Sequence, residues 1–363
     1  MSTDRWSGLP DFPWDLLAPY AERARAFPGG AVDLSVGTPV DPTPESVQRA
    51  LREHANAPGY PTTAGIPALA ESIREWAQLT LGSPSDMGFL PTIGTKEIIA
   101  GLPYLLGMGP GDHVVIPEIA YPTYAVGAIA AGAAVHVTDS PEEIGHPVSM
   151  VWINSPSNPT GAVMSQERLA ELITWARAHN VLVFSDECYF ELGWDAQPVS
   201  ILDTRVNGGD LTGLVAVHSL SKRSNMAGYR FGFLAGDPRI THRLLGIRKH
   251  LGMMLPSFVQ VAAMAAYSDP ESVAVQRAIY ARRRDHLMQA LASAGFAIEH
   301  SEAGLYIWAT RGETCWETVS YLADRGIVAT PGDFYGAAGA QFVRIALTAS
   351  DADIARACER LAH

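Results

Sequence analysis

Cysteine is scarce in this sequence. The three cysteines among 363 residues, Cys188, Cys315 and Cys358, lie far apart and show no CxxC spacing. A disulfide framework or a cysteine zinc site needs more cysteines at shorter intervals. The simplest interpretation is a cytoplasmic protein with reduced thiols, and the sequence predicts no metal ligand set.

Positive charge is also in short supply. The chain has 26 lysines and arginines against 38 acidic residues, which gives a formal net charge of -12. Nucleic acids and anionic membranes bind proteins mainly through clustered basic side chains. We therefore exclude both as the main partner, and any basic site must be local.

Long apolar runs are missing as well. The longest, "YAVGAIAAGAAV", is shorter than the roughly 20 residues that span a bilayer. The first residues, "MSTDRWSGLPDFPWDLL", carry Asp4, Arg5 and Asp11 where a signal peptide would need an apolar core. These patterns favour a protein that stays in the cytoplasm.

Several enzyme signatures are absent. The chain has no phosphate loop of the GxxxxGK type, no HExxH pair for zinc, no GxSxG nucleophile turn and no glycine-rich dinucleotide fingerprint. Nucleotide hydrolysis, zinc proteolysis, serine hydrolysis and nicotinamide chemistry therefore lack sequence support.

From about residue 94, short apolar runs alternate with longer segments of helical periodicity. The helical segments include "SQERLAELITWARAHN", and the runs are "HVVIP", "AAVHVT", "SMVWIN", "VLVFSD", "LVAVHS" and "FGFLAG". Such alternation predicts parallel strands joined by crossover helices in one large open α/β sheet.

After Gly236 the pattern changes to two long helical stretches, the strands "FAIEHSE" and "GLYIWAT", and a final helix. This order predicts a second, smaller α+β unit, which also suits a chain longer than most single cores. We predict a large domain over residues 46–250 and a small domain made of residues 1–45 plus 251–363.

Polar residues follow the predicted strands. Ligands of open parallel sheets bind at the carboxyl ends of the strands. The residues found there are Gly94, Thr95, Lys96, Asn158, Asp186, Tyr189 and Lys222. Each alone could be a turn, a helix cap or a solvated side chain, but their combination and order indicate a binding site.

These motifs together resemble the fold-type I, pyridoxal-phosphate-dependent aminotransferases of class I and II. The resemblance runs from Gly37 in "LSVGTP" to Arg344 in "VRIALT". It implies a large domain with a mostly parallel seven-stranded sheet, a smaller α+β domain, a pyridoxal 5'-phosphate cofactor and a homodimer. The motifs bind the cofactor without choosing which bond breaks, so a β-elimination stays open.

The resemblance also implies roles around the cofactor ring. The aldehyde of the cofactor needs an amine, and Lys222 matches the lysine that holds it and moves the substrate proton. Asp186 matches the carboxylate that keeps the ring nitrogen protonated. Tyr189 and Asn158 match the partners of the ring hydroxyl, and Tyr121 matches the aromatic residue that stacks on the ring.

A phosphate group needs backbone amides at a helix start and fixed positive charge. Thr95 and Lys96 begin a predicted helix, while Ser219 and Arg230 flank the lysine segment. By resemblance, Tyr60 reaches the phosphate of the neighbouring subunit. Arg223, next to Lys222, is expected to lie in solvent.

The substrate's α-carboxylate suits a planar arginine. Arg344 matches the family's carboxylate-binding arginine, with Asn158 beside it and Gly37 leaving room for substrate. A narrower resemblance to succinyldiaminopimelate transaminases is carried by "LPDFPWDLL", "VDLSVGTPVDPTP", "PGYPTTAG" and "HSLSKRSNMAGYRFGF".

This narrower resemblance predicts a glutamate-dependent step of lysine and diaminopimelate biosynthesis. Aspartate, aromatic and LL-diaminopimelate aminotransferases and a β-lyase remain alternatives. In every case the expected partners are small amino acids and 2-oxo acids.

Overall fold

The computed structural model describes residues 13–362. Within them the chain forms thirteen strands: β1 (Val32–Asp33), β2 (Gly88–Ile93), β3 (His113–Ile116), β4 (Ala134–Val137), β5 (Met150–Asn154), β6 (Leu182–Asp186), β7 (Leu214–Ser219), β8 (Phe231–Gly236), β9 (Ala297–Glu299), β10 (Tyr306–Thr310), β11 (Ile327–Val328), β12 (Thr330–Pro331) and β13 (Val343–Ala346). The first part of "LPDFPWDLL" and the residues expected to argue against a signal peptide lie outside the described residues.

The same part of the chain forms thirteen α-helices: α1 (Ala18–Arg25), α2 (Glu45–Glu53), α3 (Pro67–Leu81), α4 (Thr95–Leu105), α5 (Thr123–Ala131), α6 (Gln166–His179), α7 (Thr204–Asn207), α8 (Leu220–Arg223), α9 (Pro238–Leu251), α10 (Ser257–Tyr267), α11 (Pro270–Ser293), α12 (Cys315–Ala323) and α13 (Asp351–Leu361). None of these helices combines the length and apolarity needed to cross a membrane.

The largest sheet has seven strands in the order β2-β8-β7-β6-β5-β3-β4. Strand β8 runs antiparallel to both of its neighbours, β2 and β7, and all other pairs in this sheet are parallel. The expected mostly parallel seven-stranded sheet is confirmed. The six apolar runs correspond to β3 through β8, within one residue at each end.

Both faces of this sheet are buried, which explains why its strands read as continuous apolar runs. In β5, Val151 and Ile153 join a core with α3, α6 and α10, whereas Met150 and Trp152 face a second core with α4 and α5. Each such side chain stabilises the fold by about 1.5–3 kcal/mol.

The smaller α+β unit is present too. It contains a four-stranded antiparallel sheet in the order β12-β13-β10-β9 and a parallel pair of β1 with β11. Helices α11, α12 and α13 cover these strands through a third apolar core that includes Tyr280 and Leu287.

Two contacts bear on the predicted domain limits, which stay a proposal. Asp41 accepts hydrogen bonds of 2.7 and 2.6 Å from Arg283 of α11, so the N-terminal segment lies against the small unit. Helix α10 instead joins the core of the large sheet together with α2 and α3. This packing favours a large domain that extends past Tyr267.

Helix α4 is anchored by a buried ion pair. Both oxygens of Glu97, in its first turn, accept hydrogen bonds from Arg248 of α9, at 3.1 and 2.8 Å. Glu97 also accepts the backbone N–H of Ile93 at 3.0 Å. The Arg248 side chain is fully buried, so the pair fixes where α4 begins after β2.

We predict that Arg248→Met destabilises the protein by about 3–5 kcal/mol, because it leaves Glu97 without its counter-ion. Urea unfolding followed by circular dichroism measures this loss. Arg52→Met is the matched control, since Arg52 and Glu45 are a pair whose side chains are 60% and 69% exposed, and it should cost less than about 1 kcal/mol. Equal losses for both variants would refute the anchoring role.

Candidate active site

The topology of the large sheet gathers polar residues at one edge. The parallel strands β5, β6 and β7 end there with Asn154, Asp186 and Ser219. Strand β8 runs in the opposite direction, so Arg230, which precedes it, arrives at the same edge. Gly94, which follows β2, arrives there as well.

Lys222 lies on the short helix α8, directly after β7. The Ser219 hydroxyl caps this helix by accepting the N–H of Ser221 at 3.0 Å, and it also donates to the carbonyl of Phe231 in β8 at 3.2 Å. The Lys222 ammonium donates a hydrogen bond to the carbonyl of Gly37. The lysine amine therefore bridges the large sheet and the N-terminal segment.

Gly37 is needed for close packing at this point. A Cβ at this position would lie 2.1 Å from the Tyr306 hydroxyl and 2.8 Å from its Cζ. We expected this glycine to leave room for substrate, and in the structure the space beside it holds the Tyr306 phenol.

Asp186 is a buried carboxylate, 6% exposed. Tyr124 donates its hydroxyl proton to one oxygen at 2.9 Å, and the N–H of Cys188 donates to the other at 3.1 Å. Burial raises the pKa of Asp186, and the hydrogen bonds from Cys188 and Tyr124 oppose this rise. A cation beside this carboxylate would favour its ionised form, as the protonated ring nitrogen of a pyridoxal cofactor would.

Asn154, at the end of β5, connects two strand ends. Its side-chain NH₂ donates to the carbonyl of Asp186 at 2.8 Å, and its oxygen accepts the N–H of Asn158 at 2.7 Å. We did not predict this role, although Asn154 is the polar last residue of an apolar run and so carried the same signal as Asp186.

Arg344, on β13, is 4% exposed. Its guanidinium donates to the Asn158 side-chain oxygen at 2.9 Å and to the Ser35 carbonyl at 2.6 Å, and it lies 4.0 Å from the centre of the Tyr306 ring. Its Nε is buried without a hydrogen-bond partner in the described chain. The ionisable groups that act on it are tyrosines, and no carboxylate in residues 13–362 forms an ion pair with it, so the site suits a carboxylate ligand.

Tyr306 is a site residue that the sequence analysis missed. Its hydroxyl lies 3.3 Å from that of Tyr189. Burial acts to raise the pKa of Tyr306, but the positive charges of Arg344 and Lys222 outweigh it, and the net effect lowers this pKa. Burial and the proximity of Tyr306 raise the pKa of Tyr189. In the sequence, Tyr306 looks like an ordinary strand residue, because no local motif distinguishes it.

A second group of residues could hold a phosphate. Gly94, with φ +70°, precedes α4, and a Cβ there would lie 2.2 Å from Nη2 of Arg230. Arg230 itself adopts a left-handed backbone with φ 58°. Its guanidinium donates a hydrogen bond of 2.7 Å to the carbonyl of Ala227. The start of α4 and this guanidinium thus lie side by side, and Thr95, the first residue of α4, is half-buried.

Three predicted residues remain, namely Tyr121, Lys96 and Tyr60. Tyr121 is half-buried and meets Tyr124 edge-on, with ring centres 5.7 Å apart. Lys96 is exposed on α4, and Tyr60 is 96% exposed. Their roles toward a cofactor stay predictions.

The expectation for Arg223 was wrong. Its side chain is 6% exposed, forms an ion pair of 2.9 Å with Glu191 and lies 4.6 Å from the centre of the Tyr267 ring. A half-buried acid and an aromatic face replace the solvent that we expected around it.

The chain matches the family model described as aminotransferase class I and II over residues 30–361. It belongs to that family. The chain is therefore a pyridoxal-phosphate-dependent transaminase, and its buried carboxylate, its lysine at a strand end and its helix-start cradle provide the donor types that this cofactor needs.

Relatives and solved structures support this family assignment. The chain is 54% identical to the 4-dedimethylamino-4-oxo-anhydrotetracycline transaminase OxyQ of Streptomyces rimosus, covering 97% of this chain and 99% of that one. It is 33% identical to an LL-diaminopimelate aminotransferase of Dehalococcoides mccartyi, covering 99% and 97%. An aminotransferase structure from Neisseria meningitidis matches with a TM-score of 0.90 at 26% identity, covering 99% of both chains.

We predict that Gly37→Ala lowers kcat/KM of this transaminase by about a hundredfold, because the added methyl displaces Tyr306 and misplaces the reacting groups. Steady-state kinetics measure this effect. Gly246→Ala, on α9 where a Cβ meets nothing within 4 Å, is the control and should keep wild-type kinetics. Normal kinetics for Gly37→Ala would show that the Gly37–Tyr306 contact has no catalytic importance.

Proposed function

We propose that this aminotransferase moves an amino group from glutamate to a 2-oxo acid, with Lys222 as the amine that holds the cofactor and transfers the proton. The observation that carries the proposal is the buried Arg344, which has no acidic partner in the described chain and lies on the Tyr306 ring, close to Lys222. This arrangement supports an α-carboxylate on Arg344 and an α-carbon toward Lys222.

Pyridoxal phosphate, when bound, supplies an electron sink for negative charge that develops at the substrate's α-carbon. Nζ of Lys222 would take a proton from the α-carbon of the amino donor, and in the second half of the reaction it would deliver a proton to the α-carbon of the new amino acid. Arg344 and Asn158 orient the carboxylate, so the α-hydrogen stays within reach of Nζ.

Asp186 holds its negative charge beneath the reacting centre. Its two hydrogen bonds, from Tyr124 and the Cys188 N–H, fix its orientation. A fixed charge that needs no reorganisation stabilises a transition state by several kcal/mol, typically about 2.7–4 kcal/mol for one donor.

The first test is chemical labelling of the lysine. The chain has lysines only at positions 96, 222 and 249, so borohydride reduction of the holoenzyme followed by peptide mapping distinguishes them cleanly. We expect the label on Lys222 alone. Lys222→Ala should be inactive, whereas Lys249→Ala, on the last turn of α9, should stay active. A label on another lysine would overturn the assignment.

For the acceptor we propose N-succinyl-2-amino-6-oxopimelate. The proposal rests on the sequence stretches that resemble succinyldiaminopimelate transaminases, and the identity to an LL-diaminopimelate aminotransferase supports a related carbon skeleton. The 54% identity to OxyQ favours a second candidate, an oxo-anhydrotetracycline like the one in that relative's name. Diaminopimelate and lysine biosynthesis is accordingly the proposed setting.

A single-turnover panel decides among these acceptors. The enzyme is loaded with glutamate and then mixed with the succinylated oxo acid, its acetylated analogue, oxaloacetate, pyruvate, aromatic oxo acids or the oxo-anhydrotetracycline. The succinylated acid should react fastest, because each buried polar group left unpaired by a shorter acceptor costs about 1–3 kcal/mol, or roughly ten- to a hundredfold.

Other outcomes are equally informative. A preference of about tenfold for another oxo acid or for the tetracycline ketone would refute the acceptor but leave the aminotransferase intact. Release of pyruvate from a β-substituted amino acid, with no oxo acid reacting, would favour the β-lyase.

We also propose a homodimer in which Tyr60 reaches the partner's phosphate site. Tyr60 is 96% exposed in the single chain, and Val36 and Val40 are also exposed, at 47% and 56%. Mixing Lys222→Ala subunits with Tyr60→Ala subunits should restore activity, because one of the two sites in each mixed dimer carries neither change, which is about a quarter of all sites after random exchange. A molar mass of one chain in light scattering, or no recovery of activity after mixing, would contradict this arrangement.

A further inference from the structure

Three histidines meet near the beginnings of strands β3 and β5, at the other end of the large sheet from the candidate active site. His113 opens β3, His136 lies in the neighbouring strand β4, and His146 lies in the connection between β4 and β5. One ring nitrogen from each lies within 4.8 Å of the other two. The rings of His113 and His146 are 4.1 Å apart, and those of His136 and His146 are 4.6 Å apart.

The spacing suits a tetrahedral metal ion. Zinc binds histidine nitrogens at about 2.0–2.1 Å, which places neighbouring ligand atoms about 3.3 Å apart. Nδ1 of His113 and Nε2 of His136 are hydrogen-bonded at 2.8 Å, and a metal ion bound to both would replace the proton that they share. Strands β3 and β4 are hydrogen-bonded neighbours and already fix two of the three ligands.

The surroundings also orient one of the imidazoles. Nδ1 of His146 lies 3.3 Å from the carbonyl of Pro147, and a proton held there leaves Nε2 for a metal.

The acid next to His113 in the sequence is already engaged. The Asp112 carboxylate accepts hydrogen bonds from Ser149 at 2.8 Å and from the N–H of Gly109 at 2.9 Å. In the described chain, no acidic residue joins the three histidines as a ligand. A metal ion held by them would therefore take water as its fourth ligand.

We propose that His113, His136 and His146 bind one Zn²⁺ ion per chain. The site is separate from the transamination chemistry, because His113 begins its strand while the candidate catalytic residues follow the opposite ends of the parallel strands. The ion would link two parts of the chain to β3. These are β4, which is an edge strand of the large sheet, and the connection that follows β4.

The test uses the tag-free holoenzyme, freed of metal by a chelator and titrated with ZnCl₂ in equilibrium dialysis. We expect one Zn²⁺ per chain. His146→Gln should weaken binding by at least about tenfold and should abolish the rise in unfolding temperature that Zn²⁺ causes in the wild type. His146 is exposed, so this substitution removes a ligand without opening the core.

His250→Gln, at an exposed histidine of α9, is the matched control and should bind Zn²⁺ like the wild type. Co²⁺ gives a second readout, since three histidines and water should produce the intense absorption of four-coordinate cobalt, and His146→Gln should lose it. Transaminase activity should be unchanged in His146→Gln. Equal Zn²⁺ binding by the wild type and His146→Gln, or no stoichiometric binding, would overturn the proposal.

Discussion

Arg344 is a buried cation without an acidic partner in the described chain, and the rest of the candidate site is arranged around it. Removing a guanidinium from water costs several kcal/mol unless other groups compensate. The Ser35 carbonyl, the Asn158 amide and the Tyr306 ring compensate in part. The charge that remains favours a carboxylate ligand, which is why we propose that the substrate's α-carboxylate binds here.

The large sheet makes this arrangement possible. Its parallel strands end together, and the single reversed strand β8 delivers Arg230 to the same edge as Lys222. Two connections then join the units, from Lys222 to the Gly37 carbonyl and from Arg344 to Asn158. In the proposed mechanism, substrate binding and proton transfer would thus depend on residues from both units of the chain.

Much of this could be predicted from the sequence. The runs from "HVVIP" to "FGFLAG" became β3 to β8 because strands buried on both faces are apolar throughout. Lys222, Asp186 and Asn158 stood out as polar residues that follow such runs. Helix α10 was not predicted, since its small apolar residues lack a polar face.

Tertiary contacts explain what could not be predicted. Tyr124 and Tyr306 lie far in sequence from Asp186 and Arg344, so only the folded chain shows that they touch. Arg223 was misread because nothing in "SLSKRS" reveals that Glu191 and Tyr267 surround it. Recognition of the acceptor's far end likewise depends on contacts between residues that are distant in sequence.

The most direct test of this account is a double-mutant cycle between Arg344 and the substrate's carboxylate. Single-turnover rates are measured for the wild type and Arg344→Met, each with glutamate and with 4-aminobutanoate, which lacks the α-carboxylate. If the two groups pair, each change alone slows the reaction, but the second change adds little, and the coupling energy is at least about 2 kcal/mol. Fully additive losses would show that Arg344 does not hold the carboxylate and would contradict the account.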